Sequence, residues 1–387
     1  MVDVDAILRP WWDRILADHG DLALYDAHTH IGDADPDGAR QTPEQLLAAL
    51  ERAGARAAVF PLQEPDGYRE ANERALAAAS ASGGRLVAFC RVNPHDGDPV
   101  GEARRCLDAG AKGIKLHPRA ERFTLSEPAV RDIVALAHER RAPVLIHAGR
   151  GIPALGRDTV RLSGEFTGAR LILAHAAISD LAWLWRVLPE HPNLLVDTAW
   201  WDPADMIALF TLVPPANLLW ASDSPYGLPL TSAVMHMRLA EQAGLEGPAL
   251  RSIAGAQFER ILAGHDPEPA GPPPGAARPI DPLLERAVSH LTQAVARHFA
   301  HADAEEPVAL AKLACGVGED GPHADVFAAV LGLIELYEEH LEPPSAGIRY
   351  SEALRLLIAA AAVARTPDVP LPDLPSAPPP TQEEAES

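Results

Sequence analysis

Two histidines two residues apart, His28 and His30 in Tyr25-Asp26-Ala27-His28-Thr29-His30, close a short apolar run. On a β-strand, residues i and i+2 share a face, so both imidazoles can close on one metal ion without unusual backbone. Three more candidate ligands end runs of the same kind: His147 after Val144-Leu145-Ile146, His175 after Leu171-Ile172-Leu173-Ala174, and Asp223 after Leu218-Leu219-Trp220-Ala221-Ser222. Imidazole and carboxylate donors suit zinc, and an open position on such an ion leaves room for a water that ionises near neutral pH. Lys115 and His117, in Gly113-Ile114-Lys115-Leu116-His117-Pro118, share the strand face opposite Ile114 and Leu116, which aims both at the same region.

The elements that must position these groups are legible as a period. From Leu22 to Leu262 apolar runs ending at His30, Leu62, Val92, His117, His147, His175, Thr198 and Asp223 alternate with helical patterns. The repeat is roughly 25 to 30 residues, the size of a βα unit. Helices are expected over Val4–Ala17, Pro43–Ala53, Tyr68–Ala81, Gly101–Ala109, Glu127–Arg141, Ser179–Leu188, Pro203–Leu212, Thr231–Ala243 and Pro248–Leu262, with only one or two turns before Glu165. Eight strands and eight crossovers fit a (β/α)8 TIM barrel of the α/β class, and no glycine-rich dinucleotide loop follows the first strand. In such a barrel the site lies at the C-terminal ends of the strands, where all of these candidates sit.

Beyond the barrel, 22–264, seven prolines between His265 and Pro282 mark a linker, 265–280. A small all-α region, 281–365, is expected as four helices, near 281–301, 305–315, 323–342 and 350–364. Leu284, Ala287, Leu291, Ala294, Val295 and Phe299 recur there at helical spacing, as do Phe327, Val330, Leu331, Ile334 and Tyr337. A Pro- and Glu-rich tail, 366–387, has too little apolar surface to order itself.

The 387 residues carry 33 basic and 54 acidic side chains, a net charge of −21, which excludes nucleic acid or an anionic membrane as the main partner. Cys90, Cys106 and Cys315 lie far apart with no CxxC pair, so a disulfide framework is not expected and a reducing cytoplasm is the natural setting. The first twenty residues, an N-terminal helix with Asp3, Asp5, Arg9, Asp13 and Arg14, have no apolar signal or membrane run. Arg91, Arg119, Arg150 and Arg157 on loops over the mouth, and Trp200 and Trp201 after the seventh strand, suit a small carboxylate-bearing substrate with a planar part. Asp197 ends the seventh strand, behind the ligands or facing substrate. A homo-oligomer is compatible with the sequence. His138, His191, His236 and His265 fall on helices or connections and receive no role.

The set DxHxH, IHAG, LAHA and ASDSP resembles the amidohydrolase superfamily, in the amidohydrolase-related (amidohydrolase 2) branch that also holds decarboxylases and lactone hydrolases. The resemblance covers residues 22 to 263, including a closing Ile253–Leu262 segment with Gln257 where the family more often has Asn. It implies one divalent metal ion, zinc first among the candidates, on His28, His30, His147 and Asp223, with His175 as an acid/base group and Asp223 taking the proton of the attacking water. Some superfamily members carboxylate a lysine at the end of strand four to bridge two metals. Lys115 is open to that role, to holding an anionic substrate, or to a structural ion pair. His117, Arg150 and Trp200 are expected as substrate contacts. The implied activity is hydrolysis of an amide, lactone or similar bond. Nonoxidative decarboxylation at the same metal site, and a catalytically silent scaffold whose helical region binds a partner, are the alternatives.

Overall fold

The computed structural model of the chain describes residues 2–20, 22–36, 38–342 and 351–372. The apolar runs form eight parallel strands: β1 (Tyr25–Ile31), β2 (Arg56–Pro61), β3 (Leu86–Arg91), β4 (Gly113–Leu116), β5 (Pro143–Ile146), β6 (Arg170–Leu173), β7 (Leu194–Asp197) and β8 (Leu218–Leu219). They hydrogen-bond in sequence order. Backbone bonds from Ala27 N to Trp220 O (3.1 Å), Asp223 N to His28 O (2.9 Å) and His30 N to Ser224 O (2.8 Å) join the end of β8 to β1. With helices between the strands this is a (β/α)8 TIM barrel followed by a helical region. Phe60, Phe89, Leu145, Ile172, Leu195 and Leu219 fill its interior, so the barrel is a packed core below the site.

Local signals set most boundaries. Thr42 and Gln45 form a reciprocal capping box at the start of helix Pro43–Ala53, and Gly54 ends it in a left-handed conformation at φ 68°. Asp26 works across strands. β1 bulges between Asp26 and Thr29 in its pairing with β2, and the buried Asp26 Oδ1 accepts from His28 N and Ser222 N, both at 3.0 Å. That carboxylate ties β1 to the segment after β8 beside the first metal-ligand candidate.

Three segments depart from the sequence expectation. Helix Leu155–Glu165 runs for 11 residues, where one or two turns are expected, because Leu155, Thr159 and Leu162 bury one face although no capping side chain announces the start. The expected helix Ser179–Leu188 shrinks to Leu181–Leu184 and flanking turns. Pro189 has no N–H to extend it, and the Asp180 carboxylate is occupied by Gly156 N and Trp183 Nε1. The expected Pro248–Leu262 helix is interrupted by a π-helical turn at Ser252–Ala256. A Cβ at Gly255 would stand 2.3 Å from Ala23 O, so the helix yields there to the backbone leading into β1.

The helices of the C-terminal region are Pro282–Phe299, Glu305–Ala314, Ala324–Glu339 and Leu354–Arg365; the expected start of the last one at residue 350 lies outside the described residues. Leu354–Arg365 is buried nearly all round, as its Leu-, Ile- and Ala-rich sequence requires. Helices Pro282–Phe299 and Ala324–Glu339 pack on it from one side and barrel helix Pro229–Ala243 from another, so one continuous core joins barrel and helical region. Residues 366–372 also depart from expectation. They dock on the barrel with Val369 buried and Asp368 N donating to Gln242 Oε1 at 3.1 Å, whereas the remainder of the expected tail, 373–387, lies outside the described residues. No described helix is long and apolar enough to cross a membrane.

Candidate metal centre

The C-terminal ends of β1, β7 and β8 bring His28, His30, Asp197 and Asp223 together. The candidate donor atoms of His28, His30 and Asp223 all lie within 4.8 Å of one another, a group that could hold a metal ion. Both Nε2 atoms, of His28 and of His30, stand 3.1 Å from one oxygen, Asp223 Oδ1. Asp197 explains the orientation of His28. Fully buried at the end of β7, its Oδ2 takes the His28 Nδ1 proton at 2.8 Å, while Oδ1 accepts from His175 N (2.8 Å) and Ala199 N (3.0 Å). The tautomer follows: with Nδ1–H committed, the lone pair on His28 Nε2 faces the Asp223 carboxylate. Two electron-rich atoms aimed at each other in a buried site are stabilised by a cation between them, so these residues fit a metal ion.

His175 and His147 form a second layer of the same argument. His175 Nδ1 donates to Ala199 O at 3.0 Å, leaving its Nε2 to accept from His147 Nδ1 at 2.9 Å. The remaining nitrogen, His147 Nε2, is then a buried lone pair without a hydrogen-bond partner. His147 therefore stands beside the trio through His175, outside the tight group. Its ring stacks on His117, centroids 3.9 Å apart and planes 12° apart, and Gly149 leaves it room, since a Cβ there would lie 2.7 Å from His147 Nε2 and push the ring aside. His117 Nδ1 accepts from Ala120 N at 3.1 Å. Burial, reinforced by neighbouring positive charge, holds His28, His30, His117 and His147 well below the usual histidine range, so all four are neutral and able to ligate near pH 7. Burial raises Asp197 and Asp223; the Ala199 and His175 N–H bonds and then Lys115 oppose the shift at Asp197, and His175 and Lys115 oppose it at Asp223.

Backbone strain gathers at this end of the barrel. His175, Ala176 and Ala177 follow β6 at φ 57°, 54° and 48°, and Asp223 stands at φ 62°. Non-glycine residues rarely adopt this region, and the surrounding hydrogen bonds hold them there. Gln41 supports the opposite side: its Nε2 donates to His30 O at 2.7 Å and its Oε1 accepts from Ser224 Oγ at 2.9 Å.

Lys115, fully buried at the end of β4, places Nζ 3.3 Å from His28 Nε2 and 4.8 Å from the Phe60 ring centroid. Burial, with Arg91 next to it, lowers its pKa, while Asp223 and Asp197 pull the other way. Arg91 corrects the expectation of four loop arginines. It ends β3 in register with Lys115, is 2% exposed, and pairs with Glu121 at 2.6 Å and with Pro61 O at 3.3 Å. Tyr68 donates to the same Glu121 oxygen at 2.6 Å. This cluster ties the loops after β2 and β4 to the end of β3; a charged residue closing the apolar run Leu86–Cys90 was the signal for it. Arg119, Arg150 and Arg157 are exposed. Trp200 is half-buried after β7, its Nε1 donating to Asp205 Oδ2 at 2.7 Å.

The family model described as Amidohydrolase matches residues 25–232. No curated protein matches the chain. An amidohydrolase from Burkholderia multivorans with bound HEPES is similar in structure, with 13% identity, 62% of this chain and 99% of that chain covered, and a TM-score of 0.51. 5-Carboxyvanillate decarboxylase from Sphingomonas paucimobilis aligns with 16% identity over 63% of this chain and 99% of that chain, TM-score 0.49. 4-Oxalomesaconate hydratase from Rhodopseudomonas palustris aligns with 14% identity over 62% and 96%, TM-score 0.48. The family match spans more than half of the chain and contains every strand end that carries a candidate ligand: this protein belongs to the amidohydrolase family, as an enzyme of that superfamily.

Proposed function

We propose that this enzyme hydrolyses an amide, lactone or similar bond in a small carboxylate-bearing substrate, using one divalent metal ion, zinc by the chemistry of its donors. The convergence of His28 Nε2, His30 Nε2 and Asp223 Oδ1 carries the reading. The bare lone pair on buried His147 Nε2 supports that histidine as the fourth ligand. When bound, the ion supplies Lewis acidity and brings the pKa of water down to about 7. Asp223, at the centre of the cluster, accepts the water's proton. The Nδ1–H of His175, held by Ala199 O, is the proton that would pass to the leaving group, and Asp223, whose Oδ2 lies 3.9 Å from that nitrogen, would restore it with the proton taken from water. Lys115, whose pKa burial lowers to about 7, can offer the substrate carboxylate a proton or a positive charge, with His117 and Trp200 as planar surfaces and Arg150 at the rim. The three free, buried cysteines support a cytoplasmic location.

The burial of Lys115 against a ligand histidine favours one second reading, in which the carboxylate held there is itself lost as carbon dioxide. Carbon dioxide release measured against incorporation of labelled water into product separates the two reactions. For the metal reading, protein purified without added zinc is expected to carry about one equivalent and to lose activity on chelation. His175→Ala is expected to keep the metal and lose about 10²–10⁴-fold in turnover. A metal-free protein with full activity would overturn the proposal.

A further inference from the structure

The helical region reaches the mouth of the barrel at two points, both on loops that flank the metal-ligand candidates. Arg355, in the first turn of helix Leu354–Arg365, is 8% exposed and directs Nη2 to Pro225 O at 3.5 Å. Pro225 lies two residues beyond Asp223, in the turn closed by Tyr226 N and Gly227 N on Asp223 O at 2.8 and 3.2 Å. Asp223 itself sits in the left-handed region, a conformation its surroundings must enforce. From the metal side the turn is held by His30 N on Ser224 O and by Gln41, and Tyr226 reaches Asp35; from the helical region Arg355 meets it. The second point is Phe299, the last residue of helix Pro282–Phe299. Its ring meets Trp201 edge-on, centroids 5.2 Å apart, and Trp201 lies 6.2 Å from Trp200 on the loop after β7. Among the described residues the Arg355 side chain makes one hydrogen bond, to Pro225 O, with the carboxylates of Glu352 and Asp5 as the charges that offset its burial.

We propose that the C-terminal helical region is a wall of the active site, in which Arg355 is a positioning residue for the turn presenting Asp223 and Phe299 seats Trp201 at the mouth. The inference rests on the metal reading of Asp223. It gives residues 281–365 a role in catalysis without any partner protein.

The test uses the full chain. Zinc affinity is read by competition with a chromophoric chelator, the ligand geometry by the visible spectrum of the cobalt(II)-loaded protein, and folding by thermal unfolding. Arg355→Met is expected to weaken zinc at least tenfold and to shift the cobalt spectrum, whereas Arg355→Lys, which keeps a cation near Pro225 O, stays within threefold of wild type. Phe299→Ala is expected to leave zinc affinity unchanged and to raise KM for 4-acetoxybenzoate, a planar carboxylate-bearing ester, without changing kcat; an unchanged KM overturns the seating of Trp201. Arg355→Met binding zinc as wild type does overturns the brace. If Arg355→Met does not fold, the Lys variant decides: loss of zinc affinity there as well overturns it. Wild-type protein that binds no zinc overturns the metal reading, and the two failures are distinguishable because failure of the brace alone leaves zinc binding by the wild type intact.

Discussion

His236 is buried on helix Pro229–Ala243 with both ring nitrogens engaged: Nε2–H donates to Trp200 O at 3.0 Å, and Nδ1 accepts from the Thr198 hydroxyl at 3.1 Å. Thr198 Oγ1 in turn accepts from Ala221 N at 3.0 Å, so one imidazole links the end of β7, which carries Asp197, to the segment after β8 that leads to Asp223. Burial lowers its pKa to about 4 from the ordinary 6.5. Between those values the unfolded chain binds the proton and the folded one refuses it, so stability falls as pH drops from 6.5 through 4. The contribution is about 3 kcal/mol at full extent. His236→Gln is expected to flatten that part of the stability profile relative to wild type in urea unfolding measured from pH 4 to 7; parallel profiles would refute the assignment. Sequence reading passed over His236 because its partners are a hydroxyl and a carbonyl 36 to 38 residues away, which no local pattern announces. His28, His30 and Asp223 were legible for the opposite reason. A polar residue ending an apolar run of four or five can hardly sit elsewhere than at the mouth of a barrel. The orientation of His147 was not legible, because it depends on which nitrogen His175 leaves free.

The same contrast holds for the elements. Strand ends follow from the apolar runs, and helices with caps or long periodic faces fall within a residue or two of expectation, as at Pro43–Ala53 and Pro203–Leu212. Helix Leu155–Glu165 was underestimated because it begins at Ala154, which offers no capping side chain and stands exposed at φ 54°, ψ 15°. An alanine there bears the left-handed penalty of roughly 1 kcal/mol that asparagine largely escapes. Ala154→Asn is therefore expected to raise unfolding stability by about 0.5–1 kcal/mol, read as an upward shift in Tm, with metal affinity unchanged. A neutral or lowered Tm would mean that the left-handed turn is not the strained step in starting this helix. The π-helical interruption at Ser252–Ala256 was illegible for a steric reason: it answers the backbone of Ala23, more than two hundred residues earlier.

At the scale of the whole molecule, helix Leu354–Arg365 is anchored at both ends by buried arginines, and the two anchors separate stability from catalysis. At the upper end Arg355 meets the turn after Asp223. At the lower end Arg238, on helix Pro229–Ala243 and 1% exposed, gathers the carbonyls that end the C-terminal helix: Thr366 O at 3.2 Å, Val369 O at 3.2 Å and Pro370 O at 2.8 Å, with Thr366 Oγ1 at 3.0 Å. A cation at a helix C-terminus opposes the partial negative charge there, and the Trp11 ring 5.2 Å away brings the N-terminal helix into the same contact. Proline content alone made 366–372 look unable to order. What orders the segment is a donor on another element, which composition does not register. Arg238→Met leaves those carbonyls without their donor and is expected to cost about 3 kcal/mol. The readout is earlier urea unfolding and faster proteolysis near Thr366, while zinc affinity stays at the wild-type value because Arg238 bonds the C-terminal segment and none of the metal-ligand candidates. If Arg238→Met instead weakens zinc as Arg355→Met does, the helix acts on the site as one rigid rod, and the separation of a lower structural anchor from an upper catalytic one fails.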